Sequence, residues 1–295
     1  MTENPYIQPA RITAALRDLG LRPTRGMGQN FLIDGAALGR IVAAAELTPA
    51  DTVLEVGPGL GVLTWELLQR ARRVVTVELD RRLAARLAEE LGANQKLAIV
   101  QSDILRITPS EALGPHSALS PQPFSYKLVA NLPYAITSAV LRHFLEAEAQ
   151  PELVVVLVQW EVAQRIVAAP GDLSVLAHSI QIYAEPEIIA RVPGSSFLPA
   201  PAVDSAILRL RVRPQPLVAR TQIDQHMRLI KAGFLLARKM LSNSLPSGLA
   251  SQGLKIDKQQ VLAALEVAGV SPDRRAETVT LDEWQALYAT LQPNL

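Results

Sequence analysis

The apolar positions of this chain follow two periods. Continuous apolar runs at about 52–56, 74–78, 97–101 and 126–130 read as buried strands. Segments at about 62–70, 81–91 and 137–147 repeat apolar residues three and four apart, which predicts helices between those strands. Two further helices, Pro9 to Leu19 and Gly35 to Leu47, precede the first strand. Strands alternating with helices give a parallel sheet covered on both faces. Strands at about 153–159, 187–192 and 205–212, with helices near 160–169 and 173–183, complete a seven-stranded, mostly parallel α/β domain over residues 1–213. The proline-rich loop 193–203 between the last two strands fits a closing hairpin, and Pro214-Gln215-Pro216 reads as a linker. Helices near 222–236, 238–245, 258–268 and 281–291, with no strand signal, predict a small all-helical domain over residues 214–295. The segment 109–125 reads as a long surface loop with no assigned role.

Composition narrows the class. At 295 residues with 49% hydrophobic side chains, the chain supports about two domains with a sizeable core. It has no cysteine, which excludes disulfides and thiolate zinc sites. His116, His143, His178 and His226 lie far apart, so no metal is expected. Met1-Thr2-Glu3-Asn4-Pro5 lacks the basic and apolar regions of a signal peptide, and the run Leu153 to Val158 is far short of a membrane span. A soluble cytoplasmic protein without a membrane partner is the expectation. The net charge of +1 hides an uneven distribution. Residues 205–250 hold eight basic side chains and one acid, whereas 21 basic face 27 acidic residues elsewhere. A local basic surface on a balanced protein fits a polyanion such as RNA, although a solvated basic helix face gives the same count.

The candidate chemistry sits at strand ends. Asn131-Leu132-Pro133-Tyr134 follows the apolar run Leu128-Val129-Ala130. The Asn131 side-chain oxygen and the Leu132 carbonyl can each accept from an exocyclic amine. Pro133 restricts the residue before it, and Tyr134 offers a ring for stacking. The same tetrapeptide is also ordinary strand-to-helix turn chemistry. Upstream, the strand at 52–56 runs into Gly57-Pro58-Gly59-Leu60-Gly61 and then a helix. Glycines at such a turn let the backbone approach a ligand. Glu78 ends the next strand 21 residues after Gly57, a spacing suited to an acid on ribose hydroxyls. The turn reads G-x-G-x-G rather than the dinucleotide fingerprint G-x-G-x-x-G, since position 62 is Val62. Asp103 follows the third strand and could accept from an adenine amine. Together these residues describe a nucleoside cofactor beside a nucleobase.

In this order the motifs resemble the S-adenosylmethionine-dependent ribosomal RNA adenine N6-dimethyltransferase family, in particular its bacterial small-subunit branch of the kasugamycin-resistance type. The likeness covers nearly the whole chain. Gly28-Gln29-Asn30-Phe31-Leu32 resembles the family's N-terminal signature, and Gln159 to Ala168 its Q-x-E-V-A-x-R-I block. Val192-Pro193 through Phe197-Leu198-Pro199-Ala200-Pro201-Ala202-Val203-Asp204-Ser205-Ala206 resembles a third block. Arg238-Lys239-Met240-Leu241-Ser242-Asn243 and Arg275-Ala276-Glu277 resemble C-terminal motifs.

The resemblance implies a Rossmann-like class I methyltransferase domain with an N-terminal lid segment, followed by a helical RNA-binding domain. It implies S-adenosyl-L-methionine as cofactor, S-adenosyl-L-homocysteine as product, and no metal. Asn30 and Leu32, with Gln29 in the same lid, would fold over a cofactor held by Gly57, Gly59, Glu78, Asp103 and Asn131. Glu55 would serve a structural or methionine-amine role. Asn131, Leu132, Pro133 and Tyr134 would form the base pocket, with Phe197 on the other face of the base. Asp34 is better placed than Asn30 to cap the following helix. The reaction implied is N6,N6-dimethylation of two adjacent adenines near the 3′ end of 16S rRNA, with a role in small-subunit biogenesis. The enzyme would act as a monomer on the small ribosomal subunit, touching RNA through Arg211, Arg228, Lys231, Arg238 and Lys239. Trp160 and Ala237 stand where the family commonly has a lysine and an arginine. Alternatives are a large-subunit rRNA methyltransferase of the antibiotic-resistance type, a DNA adenine methyltransferase, and a non-catalytic ribosome-assembly factor. The Gly28-Gln29-Asn30 start and the C-terminal motifs favour the small-subunit reading, and intact Glu78, Asp103 and Asn131 favour a working enzyme.

Overall fold

A computed structural model describes residues 4–21, 30–114, 125–254 and 256–291. In chain order its elements are α1 (Pro9–Asp18), β1 (Phe31–Leu32), α2 (Gly35–Ala44), β2 (Thr52–Val56), α3 (Val62–Arg70), β3 (Arg73–Glu78), α4 (Arg81–Leu91), β4 (Leu97–Gln101), α5 (Pro109–Leu113), β5 (Lys127–Asn131), α6 (Thr137–Glu146), β6 (Leu153–Gln159), α7 (Trp160–Ile166), α8 (Val175–Gln181), β7 (Ala184–Val192), β8 (Phe197–Leu198), β9 (Ser205–Val212), α9 (Ile223–Phe234), α10 (Leu241–Ser251), α11 (Lys258–Val267) and α12 (Leu281–Leu291). They fall into two compact units: Met1–Ala163 with Glu185–Val212, and Gln164–Ala184 with Arg213–Leu295.

The first unit is built on the expected seven-stranded sheet, in the order β4-β3-β2-β5-β6-β9-β7. β4, β3, β2, β5 and β6 run parallel, and β9 is antiparallel to β6. Every residue of β2 is buried, because a central parallel strand meets helices on both faces. The chain builds β2, β3 and β4 toward one edge, then returns to place β5 and β6 on the other side of β2. This reversal leaves a crevice at the carboxyl ends of β2 and β5, the place where open α/β sheets bind ligands.

The amino-terminal end of the sheet is tied by charge. Lys127 opens β5 nearly buried, and its Nζ bonds the Glu46 carbonyl at 2.6 Å and Asp51 Oδ2 at 3.0 Å. Glu46 also pairs with Arg209 at 3.0 Å and with Arg211. Arg211 lies opposite Leu153, the first residue of β6, so it sits at the end of the sheet remote from the crevice. The basic window read from sequence is therefore partly neutralised within the first unit.

The segment 109–125 begins with a short helix, α5, in place of the expected loop. Thr108 and Glu111 form a reciprocal capping box at the start of α5, while residues 115–124 lie outside the described residues.

The second unit is helical and draws on two stretches of chain. Residues 164–184, read from sequence as part of the first domain, pack here. The Arg213 amide donates to the Tyr183 carbonyl at 2.8 Å, Leu217 to Ile182 at 2.9 Å, and Gly171 to Glu277 at 2.9 Å. Around these, Leu229, Ile230, Leu245, Leu249, Trp284 and Leu287 form a separate apolar core. α10 starts three residues later than expected and runs through Pro246 to Ser251. Pro246 has no N–H for the preceding turn. Ser247 Oγ meanwhile donates to the Asn243 carbonyl at 2.9 Å.

His178 and His226 are fully buried in this unit, and none of their ring nitrogens has a hydrogen-bond partner among the described residues. His178 meets Phe234 and Trp284 edge-on, and His226 meets Tyr288. Burial pushes both imidazoles down to about 4. A depressed imidazole favours the fold above its ordinary value near 6.5, and that stability is lost as pH falls toward 4. We expect hydrogen-exchange protection factors in α9 and α12, which allow for the slower intrinsic exchange at low pH, to fall between pH 6.5 and 4, reflecting roughly 2–3 kcal/mol per histidine. A His178→Leu/His226→Leu variant should lose that acid dependence, and an unchanged pH slope would refute it.

Candidate active site

Three glycines shape the turn after β2. Gly57, Gly59 and Gly61 have φ of 67°, 57° and 82°, the left-handed region that side chains with a Cβ disfavour. A Cβ at Gly59 would lie 3.1 Å from the Phe31 ring, and one at Gly61 would press on Leu87 at 2.9 Å. The turn is fastened to the next strand. Gly57 N–H donates to the Val77 carbonyl at 2.9 Å, and Gly59 N–H donates to Glu78 Oε2 at 3.1 Å. Glu78 Oε1 accepts from the Asp80 amide at 2.9 Å. Glu78 is thus nearly buried and fixed, with one contact on each oxygen and further lone pairs left over. Burial raises its pKa against the pull of these amides.

Glu55 is the second carboxylate of the crevice. It sits inside the apolar strand β2 and is 1% exposed, yet it lines the same cleft as Glu78. Its Oε2 accepts from the Thr64 hydroxyl at 2.7 Å, and Thr64 is itself fully buried in the first turn of α3. No cation pairs with Glu55 or Glu78 among the described residues. Burial pushes the Glu55 carboxyl up to about 8, opposed by Thr64 and reinforced by the negative charge of Glu78.

Across the crevice, Asn131 ends β5. Its Nδ2 donates to the Asn30 carbonyl at 3.0 Å, which turns Oδ1 into the free acceptor of the amide. Leu132 is buried, and its amide donates to the Leu157 carbonyl at 3.2 Å. Pro133 lines the cleft. Tyr134 is half-buried with its hydroxyl 2.7 Å from Ser205 Oγ.

A strap holds the N-terminal segment over the glycine turn. β1 pairs antiparallel with β8, Phe31 opposite Leu198 and Leu32 opposite Phe197. The Ile33 amide donates to the Ser196 carbonyl at 2.8 Å, and Ser196 Oγ donates to Asp34 Oδ2 at 2.8 Å. Asp34 Oδ1 caps α2 through the amides of Ala36 and Ala37, as expected. The Ser196 hydroxyl holds the Asp34 carboxyl below its usual range.

The structure brings Asn30, Leu32, Gly57, Gly59, Glu78, Asn131 and Pro133 to one cleft. It does not bring all the sequence candidates there. Asp103 stands two residues beyond Gln101, the register partner of Glu78, and spends Oδ1 capping the turn 104–106 through the Leu105 amide at 3.0 Å. Phe197 is 2% exposed and belongs to the apolar core with Phe31 and Leu32, so it presents no face to a base. Gln29 lies outside the described residues. Arg228, Lys231, Arg238 and Lys239 are exposed on the second unit, none paired with a carboxylate among the described residues. Arg211 is instead spent on Glu46. The strap was not foreseen, and neither was the burial of Glu55, although an acid inside the run Thr52-Val53-Leu54-Glu55-Val56 was its signal.

Comparison with known proteins places this arrangement. The family described as ribosomal RNA adenine dimethylase matches residues 22–284. The ribosomal RNA small subunit methyltransferase A of Dehalococcoides mccartyi is 49% identical over 93% of this chain and 90% of its own length. That of Moorella thermoacetica is 39% identical over 96% of this chain and 98% of its own. Among solved structures, the 23S rRNA methyltransferase ErmE superposes with a TM-score of 0.67 at 33% identity, over 89% of this chain and all of that one. A dimethyladenosine transferase from Plasmodium falciparum shares the fold, with a TM-score of 0.72 at 22% identity, over 90% and 98% of the two chains. With the family match running almost end to end, this chain belongs to the ribosomal RNA adenine dimethylase family.

Proposed function

We propose that this protein transfers methyl groups from S-adenosylmethionine to the N6 atoms of two adjacent adenines near the 3′ end of small-subunit ribosomal RNA. It would work as a monomer in the cytoplasm and serve small-subunit biogenesis. Family membership and the small-subunit methyltransferases among its relatives support this reading. The observation that carries it is the polarity of Asn131. With Nδ2 committed to Asn30, the side chain offers an acceptor, which an exocyclic amine needs, at the mouth of the crevice.

The residues present suit the cofactor. Left-handed glycines leave room at Gly57 and Gly59, Glu78 retains lone pairs for ribose hydroxyls, and the buried Glu55 awaits a cationic group. Asn30 and Leu32 would cover the cofactor from the strap. When bound, S-adenosylmethionine supplies a methyl carbon activated by the adjoining sulfonium. This chain's own contribution is positioning. Asn131 Oδ1 and the Leu132 carbonyl accept from the adenine N6, draw it out of the ring plane and aim its lone pair. Tyr134, braced by Ser205, offers its ring to the base. Well-oriented reactants gain up to about 7–11 kcal/mol, so aiming a poor nucleophile is worth more than acid–base assistance here. The target adenine must leave its stack to reach this pocket. Asp103, whose Oδ1 caps the following turn and whose Oδ2 pairs with Arg106 at 3.5 Å, is the proposed acceptor for the cofactor adenine.

Three measurements test this reading. Asn131→Ala should lower kcat for methyl transfer to undermethylated small subunits by at least tenfold and leave cofactor affinity within about threefold; lost affinity with normal turnover at saturation would reassign Asn131. A carboxyl raised by burial stabilises the fold fully below about 4.5 and loses that contribution as pH rises to about 8. The unfolding free energy of the cofactor-free protein, taken relative to that of Glu55→Gln so that the two buried histidines cancel, should therefore fall across that window by up to roughly 4–5 kcal/mol. If both proteins share one pH profile, Glu55 is not the group responsible. Reversing Arg238 and Lys239 to glutamate should weaken RNA binding and reduce its logarithmic salt slope by about one per lost phosphate contact. An unaltered slope would move the RNA surface elsewhere.

A further inference from the structure

Trp160 has no part in the proposed methyl transfer, and its surroundings give it a use. It follows β6 directly, and β6 runs parallel to β5 with Leu157 opposite Asn131. Trp160 therefore stands at the same carboxyl end as Asn131 and Tyr134. The Arg191 guanidinium lies over the Trp160 ring, 4.9 Å from its centroid. Arg191 Nε donates to Asp204 Oδ2 at 2.8 Å. Asp204 is itself fixed, its Oδ1 accepting from the Gly194 amide at 3.0 Å and its carbonyl from the Trp160 amide at 2.9 Å. The next residue, Ser205, holds the Tyr134 hydroxyl. The base pocket and the Trp160–Arg191 stack thus share the dipeptide Asp204-Ser205.

Packing does not account for this pair. Trp160 is only partly buried and the Arg191 side chain is 59% exposed, so neither adds much to the core. Asp204 already offsets the arginine charge, which makes Arg191 a poor general phosphate clamp. What remains is a guanidinium that lies over an indole, is tethered to Asp204 through Nε, and sits on a side chain that is mostly exposed. Unstacked RNA bases are recognised on guanidinium planes. A pre-aligned guanidinium loses little freedom when a base lands on it.

We propose that Trp160 and Arg191 form a stacking platform for the nucleobase adjoining the adenine held at Asn131. This rests on the reading of the crevice as an rRNA adenine methyltransferase site. A substrate with two adjacent target adenines presents a second unstacked purine whenever the first is extruded, and this platform receives it.

The test is steady-state methyl transfer to undermethylated small ribosomal subunits, with the cofactor KM measured in parallel. Loss of one base stack should lower kcat/KM for the subunit about tenfold in Trp160→Ala, chiefly through KM, with the cofactor KM unchanged. Trp160→Phe, which keeps a ring, should restore it. Arg191→Lys keeps the charge facing Asp204 but removes the plane, and should behave like Trp160→Ala. The exposed position of Arg191 makes this second variant independent of folding. Activity within twofold of the parent protein in Arg191→Lys, or a loss in Trp160→Ala that Trp160→Phe does not restore, overturns the platform. A loss that follows cofactor affinity assigns Trp160 a structural role and overturns it as well. Failure of the parent protein to methylate adenine at all would instead overturn the reading beneath it.

Discussion

The parallel register of β2 between β3 and β5 is the constraint on which the rest of the first unit depends. Val56 pairs with Val77 and Leu54 with Leu128, so β2, β3 and β5 end side by side. From those ends come the glycine turn, Glu78 and Asn131. Val53, Leu54 and Val56 are all but fully buried, each worth about 1.5–3 kcal/mol of apolar burial. A slip of one residue would reverse the strand faces, part Glu55 from Thr64 and move Gly57 off the Val77 carbonyl. Register and site geometry are the same quantity here.

The crevice is costly to the fold. Two carboxyl groups with no cationic partner among the described residues are buried in it, and three residues of its turn occupy backbone conformations that only glycine takes easily. Strongly perturbed acids in a cleft are a mark of binding sites, because the ligand provides what the fold withholds. The strap adds rigidity at the other wall. Asn30, β1, Ile33 and Asp34 are bonded in sequence to Asn131, β8 and Ser196, so the segment above the glycine turn follows the geometry of the carboxyl end of β5.

Much of this was legible in the residues. The apolar runs of β2, β3, β5 and β6 marked the sheet, and strand-end residues Gly57, Glu78 and Asn131 marked the crevice. What escaped reading has physical reasons. β1 and β8 are two residues each, too short to show any alternation. Phe197 sits in a proline-rich loop that looks exposed from sequence, but the β1 pairing turns it inward. Arg211 looked like part of a basic surface because its partner Glu46 is 165 residues away in the chain. Residues 164–184 continue the α/β rhythm of their neighbours, and only their long-range bonds to 213–217 and Glu277 show which core they serve.

That last feature governs how the protein can be divided. The helical unit is not an appendage that begins after Val212, since α8 lies upstream of β7 and completes it. A gene truncated at that point would still encode α8, now stripped of Phe234 and Trp284, with His178 turned from a sheltered ring into a wetted one. Such a fragment would carry an adhesive apolar helix into solution. Dissecting the two halves requires excising or recoding that internal helix, not placing a stop codon.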